Sequence, residues 1–197
     1  AVYEPVGKTL TRYNGNTYNY DQYGNLTSVT DVLGRSTVTE YDTQVYAYPI
    51  KVTNTLGHIS RSSYDYKTGQ VLSATDPNSQ STKNIYDALG RTTKVIGPLD
   101  TEANPGVIYE YDLASRPIKV TQKVKVDYSA SLAYLTSYVF YDGLGRAVLS
   151  KSPAKSDPQT GKSRQIISGI AKLNSKGQVR EKYLPYFTDF SDSYSSD

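Results

Sequence analysis

Tyr86-Asp87-Ala88-Leu89-Gly90-Arg91, followed by Thr92-Thr93-Lys94-Val95-Ile96, reads as strand, tight turn, strand. Aspartate suits the first position of a type I turn because its carboxylate accepts a bond from the backbone N–H two residues on. A glycine three residues later tolerates the positive φ that follows such a turn, and the β-branched run after it suits a strand. The unit recurs. Tyr141-Asp142-Gly143-Leu144-Gly145-Arg146 is nearly a copy, and Tyr20-Asp21-Gln22-Tyr23-Gly24 keeps the frame. Tyr64-Asp65-Tyr66-Lys67-Thr68-Gly69 carries one extra residue, and Tyr111-Asp112-Leu113-Ala114-Ser115-Arg116 has serine in place of glycine.

A second series lacks the tyrosine: Asp31-Val32-Leu33-Gly34-Arg35, Asn54-Thr55-Leu56-Gly57-His58 and, more weakly, Asp76-Pro77-Asn78-Ser79. Asn54, Asp65, Asp76 and Asp87 fall eleven residues apart, room for a strand of about seven residues and a turn of about four. Strands joined by tight turns pair antiparallel. The chain therefore reads as a meander with turns alternating between two edges of a strip, two strands making one repeat of about 22 residues.

The 197 residues allow one domain or a piece of a longer array. Tyrosine is the anomaly, with 20 residues against three Phe and no Trp. A ring with a polar tip suits a thin, half-solvated sheet better than a thick aliphatic core. No apolar run approaches the ~18 residues of a membrane helix, so membrane insertion is not expected. No signal peptide is visible, and a start at Ala1 rather than Met reads as an internal fragment or processed product. With no cysteine there is neither a disulfide nor thiol chemistry. A net charge of +3 is too small to imply nucleic acid. Lys119, Lys123 and Lys125 share one strand face by spacing and are read as a solvated edge defended against aggregation.

In chain order, residues 1–19 hold a leading strand or two, 20–42 one full repeat, and 43–49 a break in the frame. Ile50 to Thr53 resumes the strand pattern, and 54–96 keeps the cleanest period. Leu99 to Gly106 is an inserted loop. Val107 to Tyr111 and Pro117 to Val126 return to strand. Ser129–Leu135 is a helical turn or an elongated loop. Ser152 to Ser163 is a loop, and Gln165 to Leu173 a strand pair or one bulged strand. Asn174-Ser175-Lys176-Gly177 repeats the turn with asparagine, and residues 189–197 fray.

The candidate chemistry weighs toward structure. Tyr20, Tyr41, Tyr64, Tyr86, Tyr111 and Tyr141 hold one register position and are expected to stack as a ladder, a surface that would also suit sugars. Asp21, Asp65, Asp87, Asp112 and Asp142 start turns, which accounts for them without acid–base work. No segment has the alternating oxygen donors of a calcium loop. Arg35, Arg91, Arg116 and Arg146 follow the turn glycine or its substitute and are placed to pair with the preceding aspartate. His58, the one histidine, occupies the same slot, so neither a catalytic nor a metal role is expected of it. No nucleophile elbow, metalloprotease motif or phosphate loop is present. Asn25-Leu26-Thr27 is a chance sequon.

The Tyr-Asp-x-x-Gly-Arg spacing, repeated at about 22 residues over 20–183, resembles the bacterial Rhs/YD-repeat proteins. Ile167-Ser168-Gly169 and Lys182-Tyr183-Leu184-Pro185-Tyr186-Phe187 are similar to a segment of toxin-complex B-components. The resemblance implies strands wound into a hollow β-shell enclosing a toxic C-terminal polypeptide; related animal repeats serve adhesion. Self-cleaving shells end in a motif beginning Asp-Pro-x-Gly. Asp157-Pro158-Gln159-Thr160-Gly161 has its glycine one place late, and cleavage is not carried over to it.

The expectation is an all-β antiparallel meander of YD-repeat hairpins forming a curved strip or solenoid, a partial shell. The strip would cover residues 1–188, clearest in 20–96 with further units at 107–150 and 165–183. Its role would be non-catalytic, as a segment of a secreted or surface Rhs-like toxin, with no cofactor. Its partners would be the rest of the shell and the enclosed polypeptide. The alternative is a carbohydrate- or protein-binding adhesin module on the same strip.

Overall fold

A computed structural model describes residues 2–6, 9–13, 15–126, 133–174 and 176–194. The described residues are all-β and fall into two compact units, 1–90 and 91–197.

The first unit begins with a hairpin of β1 (Val2–Val6) and β2 (Thr9–Tyr13), a two-stranded sheet of its own. The meander follows: β3 (Thr17–Tyr20), β4 (Leu26–Thr30), β5 (Ser36–Tyr41), β6 (Pro49–Thr53), β7 (Ile59–Asp65), β8 (Gln70–Thr75) and β9 (Ser81–Tyr86). Each strand pairs antiparallel with the next. The strands are rich in Thr, Val, Ile and Tyr, which fit a pleated, half-buried surface. Their side chains are mostly half-buried, and the one fully buried residue described in this unit is charged: Asp42, 2% exposed.

The second unit continues in the same manner with β10 (Thr92–Ile96), β11 (Val107–Asp112), β12 (Ile118–Lys125), β13 (Tyr134–Tyr141), β14 (Ala147–Ala154) and β15 (Arg164–Ser168). The frame breaks after β15. The hairpin of β16 (Ala171–Leu173) and β17 (Val179–Lys182) forms a separate two-stranded sheet around the Asn174 turn, and β18 (Tyr186–Asp189) takes the place beside β15. Gly169, at φ +83°, turns the chain out of the sheet. This unit holds an apolar core of Tyr138, Phe140, Leu149 and Ile167.

Several expectations are corrected here. Lys119, Lys123 and Lys125 do not defend an edge, because β12 is paired on both sides. Each is ion-paired instead: Lys119 with Asp192 at 3.2 Å, Lys123 with Glu110 at 2.5 Å and Lys125 with Asp100 at 3.0 Å. The last pair is buried, its side chains 6% and 2% exposed. It anchors the insertion between β10 and β11, where the Gly97 amide donates to Asp100 Oδ2 at 2.8 Å. A Cβ on Gly106 would stand 2.5 Å from that oxygen, so the close approach requires a bare backbone there.

Strand β14 extends through Ala154, into residues expected to be loop. Pro153 stands where β14 is paired with β15 alone, since its pairing with β13 runs only as far as Lys151, and proline within a sheet is confined to such local edges. The tail is not frayed from Asp189. Asp189 ends β18, and Phe190 to Tyr194 pack on the sheet through two aromatic contacts and two lysines. Residues 195–197 and most of Ser129–Leu135 lie outside the described residues; Tyr134 and Leu135 open β13.

Candidate functional site

Each turn is closed by its own side chain. Asp31 Oδ1 accepts from the amides of Leu33 and Arg35, both at 2.9 Å, while the Gly34 amide donates to the Asp31 carbonyl at 3.0 Å. Asp142 repeats the arrangement with Leu144, Arg146 and Gly145, and Asp21 with Tyr23, Asn25 and Gly24. Asp87 accepts from Leu89, and Gly90 bonds back to the Asp87 carbonyl. Asp65 spans its extra residue through Lys67, with Gly69 returning to the Asp65 carbonyl. Asp112 accepts from Ala114 and Ser115, whose hydroxyl donates to the Asp112 carbonyl. The turn glycines, Gly90 at +77° among them, adopt positive φ.

Arg35 and Arg146 fold back on Asp31 and Asp142, at 2.6 and 2.7 Å. Arg91 lies over the Tyr111 ring, 4.3 Å from its centroid, and Arg116 donates to the carbonyls of Leu113 and Ser115. His58 Nδ1 lies 3.4 Å from the Asn54 side-chain nitrogen.

The residues expected to stack do something else. Turns on one edge are two strands apart, about 9.5 Å, too far for ring-on-ring contact at equal register. The hydroxyls cross to the neighbouring strand instead. Tyr41 donates to the Leu26 carbonyl, Tyr64 to Pro49, Tyr86 to Val71 and Tyr111 to Thr92, at 2.8–3.3 Å. A register shift falls just before Tyr20, Tyr41, Tyr64 and Tyr141, leaving Thr27, Ile50, Leu72 and Val148 as the extra residues on the strands that leave those turns. Leu26, Pro49 and Val71 are the residues just before three of these bulges. A bulge disrupts the ladder locally, and there the next repeat's tyrosine hydroxyl meets the backbone.

Further side chains link successive turns on the Tyr-Asp edge. The rings of Tyr23 and Tyr46 stack at 4.3 Å, and Asn25 Nδ2 donates to the Tyr46 carbonyl at 2.6 Å. Tyr48 stacks on Tyr64 at 4.9 Å, and its hydroxyl occupies the space where a Cβ on Gly69 would stand. Gln70 Nε2 donates to the Gly90 carbonyl. On the opposite edge, the bonds at Asp31, Asn54 and Asp76 stay inside their own turns.

Asp42 is the densest node. Its two carboxylate oxygens accept from the amides of Gln44, Val45, Tyr46, Ala47 and Tyr48 at 2.7–3.2 Å, and its own amide donates to the Tyr48 carbonyl. Burial by itself would raise this carboxyl's pKa, but the five amides outweigh it and hold it well below the usual range. No glycine is needed because Tyr46 takes φ +55°. The apparent break at 43–49 is thus the same turn, widened around one aspartate. The Tyr41-Asp42 pair is its only trace in sequence; Asn25, Tyr48 and Gln70 leave none.

The carboxyls of Asp31, Asp65 and Asp142 are also held below their usual range, chiefly by the amides of Arg35, Lys67 and Arg146. At Asp21 burial acts the other way and is outweighed by bonds from Asn25 and Tyr23. These aspartates serve as acceptors in turns. Three open clefts, of about 420, 500 and 670 Å³, lie along the sheets. In the first, Glu110 and Asp192 are engaged by Lys123 and Lys119. No group of three or more metal-ligating side chains, and no helix long and apolar enough to cross a membrane, occurs among the described residues.

No family model and no curated protein sequence matches the chain. Solved structures do. The chain superimposes on the TcdB2-TccC3 crystal structure with a TM-score of 0.69 and 16% identity, over 88% of its own length and 11% of that chain. For the TcdB2-TccC3-Cdc42 crystal structure the TM-score is 0.68 at 14% identity, covering 88% and 13%. For the Photorhabdus luminescens Tc holotoxin pore the TM-score is 0.71 at 13% identity, covering 94% and 14%. The fold is therefore the antiparallel β-strip found in these toxin-complex structures. The chain spans about an eighth of the length of the toxin-complex chains it matches.

Proposed function

We propose that this chain is a non-catalytic wall segment of a secreted Rhs-like toxin, one stretch of a β-shell that surrounds a C-terminal toxin polypeptide. The supporting observation is the linkage of successive Tyr-Asp turns along one edge, in a fold shared with far longer toxin-complex chains. That linkage propagates a strip and does not close a globule: each repeat depends on its neighbours. The turn-tip leucines Leu33, Leu56, Leu89 and Leu144 are 72–78% exposed, apolar side chains left along the edges for a further layer of wall. The charged and aromatic groups have structural work in turns and ion pairs, which supports a wall over an enzyme.

Sequencing the gene on both sides of this segment, with limited proteolysis of its full product, tests the reading. Many further Tyr-Asp repeats and a protease-protected, unrelated C-terminal domain are the expected result. A product with only a few more repeats could enclose nothing and would overturn it.

A further inference from the structure

Arg61, on β7, is exposed and has no hydrogen-bond or ion-pair partner among the described residues. It stands in a row that the strand pairing fixes across one face of the first unit's sheet: Glu40, Lys51, Arg61, Thr75 and Ser81, on β5 to β9. In this row Lys51 and Arg61 are direct cross-strand partners. Like charges placed opposite one another destabilise a sheet. Glu40 answers one of them, 2.6 Å from Lys51 Nζ, and the guanidinium is left over. Asp76, which follows Thr75 in the chain, is occupied by the amides of Asn78 and Gln80 at 2.9 and 2.8 Å.

Hydroxyls flank the guanidinium. Thr75 is its partner on β8, and one row along, the hydroxyls of Ser63 and Ser73 share a hydrogen bond of 2.6 Å. Two hydroxyls joined by one bond keep one proton between them for a third group. These side chains line an open cleft of about 670 Å³ together with Lys51 and Arg61. Lys83 is the cross-strand partner of Ser73 on the same face, and it too has no partner among the described residues. Positive charge on this face therefore exceeds what Glu40 can neutralise. A guanidinium gives two parallel bonds to the oxygens of one anion, and the ammonium and hydroxyls around it approach from other sides. Donors converging in this way suit a tetrahedral ion better than a planar carboxylate.

We propose that this cleft is a binding site for a tetrahedral oxyanion, a phosphate or sulfate group, held by the Arg61 guanidinium with Lys51, Thr75 and the Ser63–Ser73 pair around it. The anion separates the two facing cations and takes up the charge that Glu40 leaves. The site is formed within the first unit and does not depend on the shell reading.

The test is nitrogen–proton NMR of the full chain, titrated with inorganic phosphate, inorganic sulfate and methyl phosphate. Ionic strength is held constant, so that screening does not change along the titration. Saturable shifts are expected at the amides of β6 to β8, with a dissociation constant for phosphate or sulfate of about 1 mM or tighter. Arg61→Gln should weaken binding at least about tenfold. Lys176→Gln, which removes the same charge from the other unit, should leave it unchanged. In anion-free buffer of low ionic strength, Arg61→Gln should also raise the first unit's thermal midpoint, because it relieves the repulsion of Lys51. Shifts that never saturate, or an equal loss with Lys176→Gln, would mean general charge screening and overturn the proposal. A lowered midpoint in Arg61→Gln would mean a structural guanidinium and overturn it as well. Methyl phosphate binding as tightly as free phosphate assigns the site to an ester group on a larger molecule. Binding of the free ions alone assigns it to inorganic oxyanions.

Discussion

The two units use the same hairpins but stay folded by different means. In residues 1–90 no described apolar side chain is fully buried, and the one buried residue is Asp42. Order there comes from hydrogen bonds: aspartates closing turns, tyrosine hydroxyls crossing to the next strand, and amides on one carboxylate. In residues 91–197 Tyr138, Phe140, Leu149 and Ile167 form a core, with Phe190 and Tyr194 laid over it. A net hydrogen bond contributes about 1 kcal/mol and a fully buried apolar side chain about 1.5–3 kcal/mol. A sheet can therefore stand on many small bonds in series or on a few large apolar contacts. The first manner extends without limit, and the second makes a local anchor.

The largest expected effect lies in the anchor. Phe140→Ala, at a side chain 2% exposed, should destabilise the second unit by about 3–5 kcal/mol, read as faster amide exchange across β12–β15. A loss below 1 kcal/mol would mean that this unit, too, stands on its turns.

Next comes Asp42. Asn retains one acceptor oxygen where the carboxylate offers two for five amides, so Asp42→Asn should lower the first unit's thermal midpoint by on the order of 5 °C. The pH dependence carries the sign. The folded pKa lies below the ordinary 3.8, so Asp42's stabilisation is complete above that value and is lost as pH falls beneath it. Asp21, Asp31 and Asp65 are depressed in the same unit, against Asp142 and Asp157 in the other. Amide exchange measured from pH 6 down to pH 3 should therefore loosen residues 15–90 first, and less steeply in the Asp42→Asn chain. Simultaneous loosening of both units would erase the contrast.

The smallest effect sharpens the comparison most. Tyr86→Phe keeps the ring and deletes the 2.8 Å bond to the Val71 carbonyl, at an expected cost of about 0.5–1.5 kcal/mol. Protection should fall at the amides around Val71 and Leu72. If it does not, the hydroxyls are passengers and stacked rings such as Tyr48 on Tyr64 carry the linkage.

The sequence by itself determined the local grammar. Aspartate at the turn start, glycine at positive φ and β-branched residues between them are choices of backbone conformation, made within a few residues, and they set strand order and antiparallel pairing within each unit, from Thr17 to Tyr86 and from Thr92 to Ser168. Only the tertiary structure decided what crosses between strands. Tyr41, Tyr64, Tyr86 and Tyr111 bond across to the neighbouring strand and do not stack on one another, because turns on one edge lie two strands apart, a distance no single repeat encodes. Asp42 became a buried hub because five amides converge on it once the loop has folded. Lys119 and Lys151 found Asp192 and the carbonyls of Ser191 and Ser193 at separations of 73 and of 40 and 42 residues. Spacing rules act over one turn or one repeat, whereas contacts at that range depend on where the whole sheet brings the chain back.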